Sequence, residues 1–347
     1  MTNEARCALT RKRRRSLRPL GGEGYSLPMK RLRDRLAKLW PLVLTVAIFA
    51  FIFSRVPFQR LVEALSQARL APFLALMAGF SLFYFAVDTL VLLKMVRWFH
   101  GPLAYRDLLP VRASTYLVSI VNTQLAQGAL ALYIHRRFMT PLGEIAGTVA
   151  TLILLEVTQL VFFATVGMLA FPRDVPAGLF LAPLVLAALW IALVAVVRTP
   201  AAGRYARNPL FRTFRSASPA QLLAVLGLKA STFLCALSVH ALALPLFGIH
   251  VPLSRLLAFL PIVFMVAALP VTVAHLGTSQ AAWIFFFNDY APDADLLAYS
   301  LAAHLTFMLA NGALGALFLP KAYVDLFVHR RRDDIGRSRP SQKATSV

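Results

Sequence analysis

The chain has 347 residues, of which 59% are hydrophobic and only 15% charged, and its mean hydropathy is +0.67. A soluble domain of this length carries far more charge, so the composition excludes a water-soluble enzyme and points to a polytopic membrane protein. The net charge of +21 does not indicate nucleic-acid binding, because the lysines and arginines lie in tails and short loops between apolar runs, where a cytoplasmic membrane face places them.

Residues 1–38 form a basic cytoplasmic tail with twelve Lys or Arg. The apolar run 39–56 ends in FSRVPF, without a small-residue cleavage site, and reads as an uncleaved signal anchor. Met29 begins MKRLRDRLAKLWPLVL, an ordinary start for such an anchor, so residues 1–28 read as an extension. Cys7 in this tail and Cys235 in an apolar helix are not positioned to form a disulfide or metal framework. From Val56 to Leu70 the segment puts Leu61, Leu65 and Ala68 on one side and Arg60, Glu63 and Gln67 on the other, the pattern of an interfacial helix.

Further apolar runs long enough to cross a hydrocarbon core, which takes about 20 residues, lie at 71–93, 142–170, 177–197, 220–247 and 296–319. Two more, 113–134 and 256–288, are apolar but interrupted. A straight crossing at 113–134, between Arg112 and the pair Arg136 and Arg137, would export the loop 198–215 with its five arginines. A straight crossing at 256–288 would export Arg330 to Arg332. Read as re-entrant or broken helical hairpins, both runs leave every basic loop on the cytoplasmic side. The expectation is an all-α polytopic membrane protein with about six full transmembrane helices plus two re-entrant or broken hairpins. The transmembrane domain is 39–319, and 320–347 is a second basic cytoplasmic tail.

The layout repeats at an offset of 148 residues. Half one, about 71–197, and half two, about 220–319, each contain a crossing, a broken run and a second crossing, with opposite starting sides. This is an inverted repeat, the arrangement in which discontinuous helices of transporters meet near the midplane around their cargo.

Non-helical backbone at membrane depth leaves amides and carbonyls that lipid cannot satisfy, so it survives only against protein or a water-filled cavity. In LPVTVAHLGTSQAAW, residues 269–283, Pro270 stops a helix, Gly277 permits a turn and Thr278 or Ser279 can cap the helix that follows. His275 and Gln280 add polar groups. In SIVNTQLAQGALALYIHRR, residues 119–137, Asn122, Gln124 and Gln127 precede Gly128. Helix N-termini on facing breaks would make an anion site for a phosphate or pyrophosphate. The alternative is that these side chains satisfy only one another and the broken backbone.

Ionisable groups inside a bilayer usually face the protein interior. Glu156 lies mid-helix in TLILLEVTQLVFF, and His304 stands 148 positions later, so the two read as a pair lining a shared cavity. Asp88 and Lys94 read as a snorkelling pair, and no spacing selects Lys229 or His240. Asn311, Gly312 and Gly315 have the composition of a helix-packing face. There is no GxSxG elbow, HExxH motif, Gly-rich phosphate loop or DxD-like carboxylate pair, so no enzyme, cofactor or metal site is expected.

On NTQLAQGALALYIHRR with the following TLILLEV, and on LPVTVAHLGTSQAAW, the chain resembles the flippase-like integral membrane family represented by the transmembrane region of lysylphosphatidylglycerol synthase. The similarity covers roughly residues 35–325. Pro270, Gly277 and Glu156 match the family pattern. Ala274 and His275 stand where a small or glycine pair is usual, Gln280 where a glutamate is usual, and Val157 where an arginine is usual. The resemblance implies a membrane domain that moves lipids or lipid-linked sugars between leaflets. The aminoacyl transferase fused to some relatives has no counterpart in the 28 residues after Leu319.

The function expected from residues and resemblance together is a bacterial-type inner-membrane lipid or polyprenyl-lipid translocase with both termini cytoplasmic. Its partners would be anionic or phosphate-bearing lipids. Asn122, Gln124, Gln127, Gly128, Pro270, His275, Gly277, Thr278 and Gln280 would hold the headgroup between the two breaks. Glu156 and His304 would tune the cavity charge, and Arg136 and Arg137 would gather headgroups at the cytoplasmic mouth. The alternatives are an accessory or scaffold subunit of a glycolipid or hopanoid pathway, and an enzyme acting on a lipid phosphate with His275 as base.

Overall fold

In the computed structural model the chain is described over residues 43–121, 123–170, 177–198, 208–268, 272 and 276–323. Among the described residues there are twelve helices and no strand. Backbone groups in hydrocarbon find partners only within a helix or a closed barrel, and the apolar runs accordingly fold as helices. Five helical stretches are long and apolar enough to cross a membrane: Leu70–Phe99, Leu142–Ala170, Gly178–Val197, Pro219–Phe247 and Asp293–Lys321. A sixth follows if the first helix, α1 (Val43–Arg55), is counted with α2 (Phe58–Gln67).

These two helices meet at an angle of 83°. Pro57 sits at the corner, where it lacks the amide a continuing helix would need. The bend makes α2 a separate amphipathic element: Leu61 is buried, Ala64, Leu65 and Ala68 are half-buried, and Arg60, Glu63 and Gln67 are exposed. The amphipathic segment expected over 56–70 is therefore helical, and the corner at Pro57 separates it from the helix before it.

The long helix α3 (Leu70–Phe99) leads into a pair of shorter ones, α4 (Tyr105–Val121) and α5 (Thr123–Phe138). A Cβ on Gly101, just before α4, would lie 2.8 Å from the ring of Phe138 at the end of α5. A continuous rod would separate those positions by roughly 55 Å, so the chain turns back and the pair is a hairpin. It is longer than the expected 113–134. Arg106 and Asp107 lie exposed in its first turn, and Arg112, expected as a flanking loop residue, lies inside α4 because its charge is neutralised there.

After α6 (Leu142–Ala170), α7 (Leu181–Arg198) and the short α8 (Arg212–Ser216), α9 (Pro219–Ala243) starts at a capping box. The Ser218 hydroxyl accepts from the Gln221 amide, the Gln221 side chain accepts from the Ser218 amide, and Pro219 occupies the first turn. A second hairpin follows, formed by α10 (Leu253–Ala268) and α11 (Thr278–Phe287). Phe259 stacks on Phe286 at 5.1 Å and meets Phe287 edge-on at 6.2 Å, where a continuous rod would hold them roughly 40 Å apart, so the chain turns back between the arms. The last helix, α12 (Asp293–Tyr323), closes the fold.

Packing between the hairpins and the long helices is crossed. The first hairpin's α4 lies along α12, and the second hairpin's α10 lies along α6. Each crossing is close because a glycine lets the backbones approach. A Cβ at Gly315 would fall 2.6 Å from the Ala113 carbonyl oxygen, and one at Gly167 would fall 2.4 Å from the Ala258 Cα. Gly312 similarly abuts Ile120, as the packing role expected for this stretch of α12 requires. Between these layers α3 packs on α9. By contrast the span containing α7 has no buried residue and is joined to α6 through the Trp190 indole, which donates to Thr158 at 3.0 Å.

At one end of the bundle a polar latch ties α3, α6 and α8. His100 Nε2 lies 2.8 Å from the Thr148 hydroxyl, that hydroxyl lies 2.7 Å from Thr213, and Glu144 pairs with Arg212. Burial at this junction holds the His100 imidazole below its usual range, against the pull of Glu144.

Substitution separates glycines that are packing contacts from those that are not. Gly167→Val pushes a side chain into the α10 backbone and is expected to cost about 1–3 kcal/mol in denaturation measured in micelles. Gly128→Ala, where nothing lies within 4 Å of the added Cβ, is expected to leave the midpoint equal to or above that of the parent.

Candidate functional site

The helices bring four opposite charges together within the spans. Asp88 on α3 faces Arg112 on α4, whose Nε donates to Asp88 Oδ2 at 2.7 Å while Nη2 stands 2.6 Å from the same oxygen. Tyr116, one turn beyond Arg112, donates its hydroxyl to that oxygen at 2.7 Å. The guanidinium also lies over the Tyr116 ring, 5.0 Å from its centroid. The two charged side chains are 14% and 15% exposed. A guanidinium spread between a carboxylate and an aromatic face satisfies most of the desolvation demand of both ions, which makes this pair a structural clamp between α3 and the first hairpin.

The second pair is different in kind. Glu156 is the central residue of α6, and its carboxylate accepts from the Lys229 ammonium on α9. Lys229 is 11% exposed and Glu156 37% exposed at the side chain. The pair joins α6 to α9. Tyr84 on α3 lies within electrostatic reach of Asp88, Glu156 and Arg112, and Lys229 within reach of Asp88. The two pairs therefore form one cluster of two negative and two positive charges, with no net charge.

Two sequence expectations are corrected here. Asp88 pairs with Arg112 and Tyr116, which approach it laterally, while Lys94 turns over the Trp98 ring at 5.5 Å. Glu156 forms an ion pair with Lys229 on α9. Lys229, which no spacing selected, is a buried member of the cluster. The available signal was isolation: Glu156 and Lys229 each sit in a long apolar helix with no opposite charge three or four residues away, so each requires a partner from another helix.

The remaining predicted residues are spread over the fold. Gln127 is half-buried and Gly128 exposed on α5, while Arg136 and Arg137 are exposed at the end of that helix. Gly277 is buried with φ +92°, in the left-handed region that favours glycine, and its position packs against Ile48 of α1. The capping expected from Thr278 or Ser279 is carried out by Gln280, whose Oε1 accepts from the Gly277 amide at 2.7 Å. Gln280 is completely buried, and Thr278 Oγ1 lies 3.3 Å from Thr272 Oγ1. His304 is half-buried on α12, one turn before Phe307, whose ring meets Tyr84 at 5.3 Å. Asn122, Pro270 and His275 lie outside the described residues, as does the side chain of Gln124. The first hairpin thus packs on α12 and the second on α6, and the polar focus of the described fold is the charge cluster.

A buried histidine makes a separate contact: His240 Nδ1 lies 2.5 Å from the Tyr299 hydroxyl amid Phe264 and Trp283. This aromatic box joins α9 to α12 inside the largest apolar cluster. No protein-family model matches the chain, and a search of curated proteins finds no relative.

Removing one member of the clamp strands the other. Arg112→Met is expected to cost about 3–5 kcal/mol in denaturation in micelles, and adding Asp88→Asn is expected to recover most of that loss. Additive losses in the double variant would show that the two side chains do not act on each other.

Proposed function

We propose that the protein is an integral membrane translocase for lipids or polyprenyl-linked lipids, with the Glu156–Lys229 pair as the place where a phosphate-bearing headgroup is received during passage. The observation that carries this reading is the exposure of Glu156. A carboxylate at the centre of a 29-residue apolar helix, with 37% of its side chain uncovered, cannot face hydrocarbon without a cost of several kcal/mol. Water or a polar headgroup must reach it, and a membrane-spanning protein has use for such access when something polar passes.

The two halves support this reading as an inverted repeat. Gly167 and Gly315, the glycines at the two crossed contacts, are separated by 148 positions (315 − 167), the same offset that relates the long helices and the hairpins. Two equivalent helix crossings between halves suit a carrier that exposes a central site first to one leaflet and then to the other. In this reading the protein lies in a bacterial-type inner membrane, with its tails and Arg136 and Arg137 on the cytoplasmic side.

The test is lipid exchange in proteoliposomes containing a trace of fluorescent phospholipid, with an impermeant quencher outside. Folded protein is expected to give the quencher access to inner-leaflet lipid. Lys229→Met is expected to slow that exchange about tenfold, the factor given by about 1.4 kcal/mol, while Leu184→Ala, at an exposed position of α7, leaves it within about twofold. No exchange from folded protein contradicts the translocase, and co-purification of a membrane enzyme would then favour the scaffold.

A further inference from the structure

Resting on the translocase reading, we propose that the Glu156–Lys229 pair selects a zwitterionic headgroup carrying a primary ammonium beside a phosphodiester, as in phosphoethanolamine lipids. This differs from the anionic cargo expected from the sequence, and the charge balance of the cluster is the reason. Asp88 and Glu156 are matched by Arg112 and Lys229, so these four described side chains carry no net charge before anything enters. An anionic headgroup would add an unmatched negative charge in a low-dielectric setting, where it is least tolerated. A zwitterion adds none.

The geometry suits an exchange of partners. Lys229 makes its direct ion pair with Glu156, without the aromatic face and extra hydroxyl that hold Arg112 to Asp88. This pair is therefore the one that can open. The headgroup ammonium would take the place of Lys229 at the more exposed carboxylate of Glu156, and the phosphate would take the place of Glu156 at the Lys229 ammonium. One ion pair becomes two, both charge-assisted, and the total charge stays at zero. Around them Tyr84 and Asp88 on α3, and Arg112 beside Asp88, supply the electrostatic surroundings. A quaternary ammonium has no N–H to donate to Glu156, so a phosphocholine headgroup loses hydrogen bonds that a primary ammonium makes.

The experiment compares binding of dihexanoyl phosphatidylethanolamine, phosphatidylglycerol and phosphatidylcholine to the purified full chain in micelles by isothermal titration. The parent protein is expected to bind the ethanolamine lipid about tenfold more tightly than either of the others. Glu156→Gln keeps the shape but leaves the site with one net positive charge, so it is expected to lose the ethanolamine preference and to gain affinity for phosphatidylglycerol. Lys229→Met is expected to lose binding of all three, with a melting curve to verify that it is folded. Equal or tighter binding of phosphatidylglycerol by the parent, or an unchanged order in Glu156→Gln, overturns the selectivity while leaving translocation standing. No binding of any of the three lipids, together with no exchange in proteoliposomes, removes both.

Discussion

An ion inside a bilayer must be neutralised by a neighbour, and for the Asp88 and Glu156 carboxylates of this protein the neighbour is on a different helix. Asp88 has no cation within a turn on α3 and finds Arg112 on α4; Glu156 has none on α6 and finds Lys229 on α9. Leaving either ion unpaired costs several kcal/mol, so each pair specifies which helix faces which and at what depth. Apolar packing alone is permissive in lipid, since a leucine gains little by exchanging a lipid tail for another leucine. The charge pairs and the glycine contacts supply the specificity that hydrophobicity cannot.

The two pairs divide the work. Arg112 is held to Asp88 through two nitrogens, backed by Tyr116, and nearly covered, which suits a fixed joint between α3 and the first hairpin. Glu156 and Lys229 bridge the halves with fewer contacts and an exposed edge. Under the proposed carrier function the first would serve as a fixed joint and the second as a link that cargo could replace. The glycines at the crossed α4–α12 and α6–α10 contacts bring the halves close without tall side chains to interlock.

Much of the fold was legible in the sequence. Long apolar runs announce helices, and the distribution of arginines among loops was enough to indicate that 113–134 and 256–288 turn back. The contact of Gly101 with Phe138 and the stacking of Phe259 on Phe286 bear out both turns. The start of α4 was not legible, because Arg106, Asp107 and Arg112 read as loop until Asp88 is known to lie beside Arg112. The partner of Lys229 was likewise hidden, since it lies 73 positions away and no local periodicity reports such a pairing. At Gly277 the sequence indicated a turn and a helix start, yet the cap comes from Gln280, a residue read as cargo-binding.

The account depends on the attraction between positions 156 and 229 across the two halves, and exchanging their charges measures it directly. Glu156→Lys alone and Lys229→Glu alone each place two like charges together at mid-depth. If the pair joins the halves, denaturation in micelles will show large losses for each single variant and recovery of most of that loss in the double variant, where the pair is restored in reverse. A double variant less stable than either single one would show that the two side chains do not meet, and the account would be wrong.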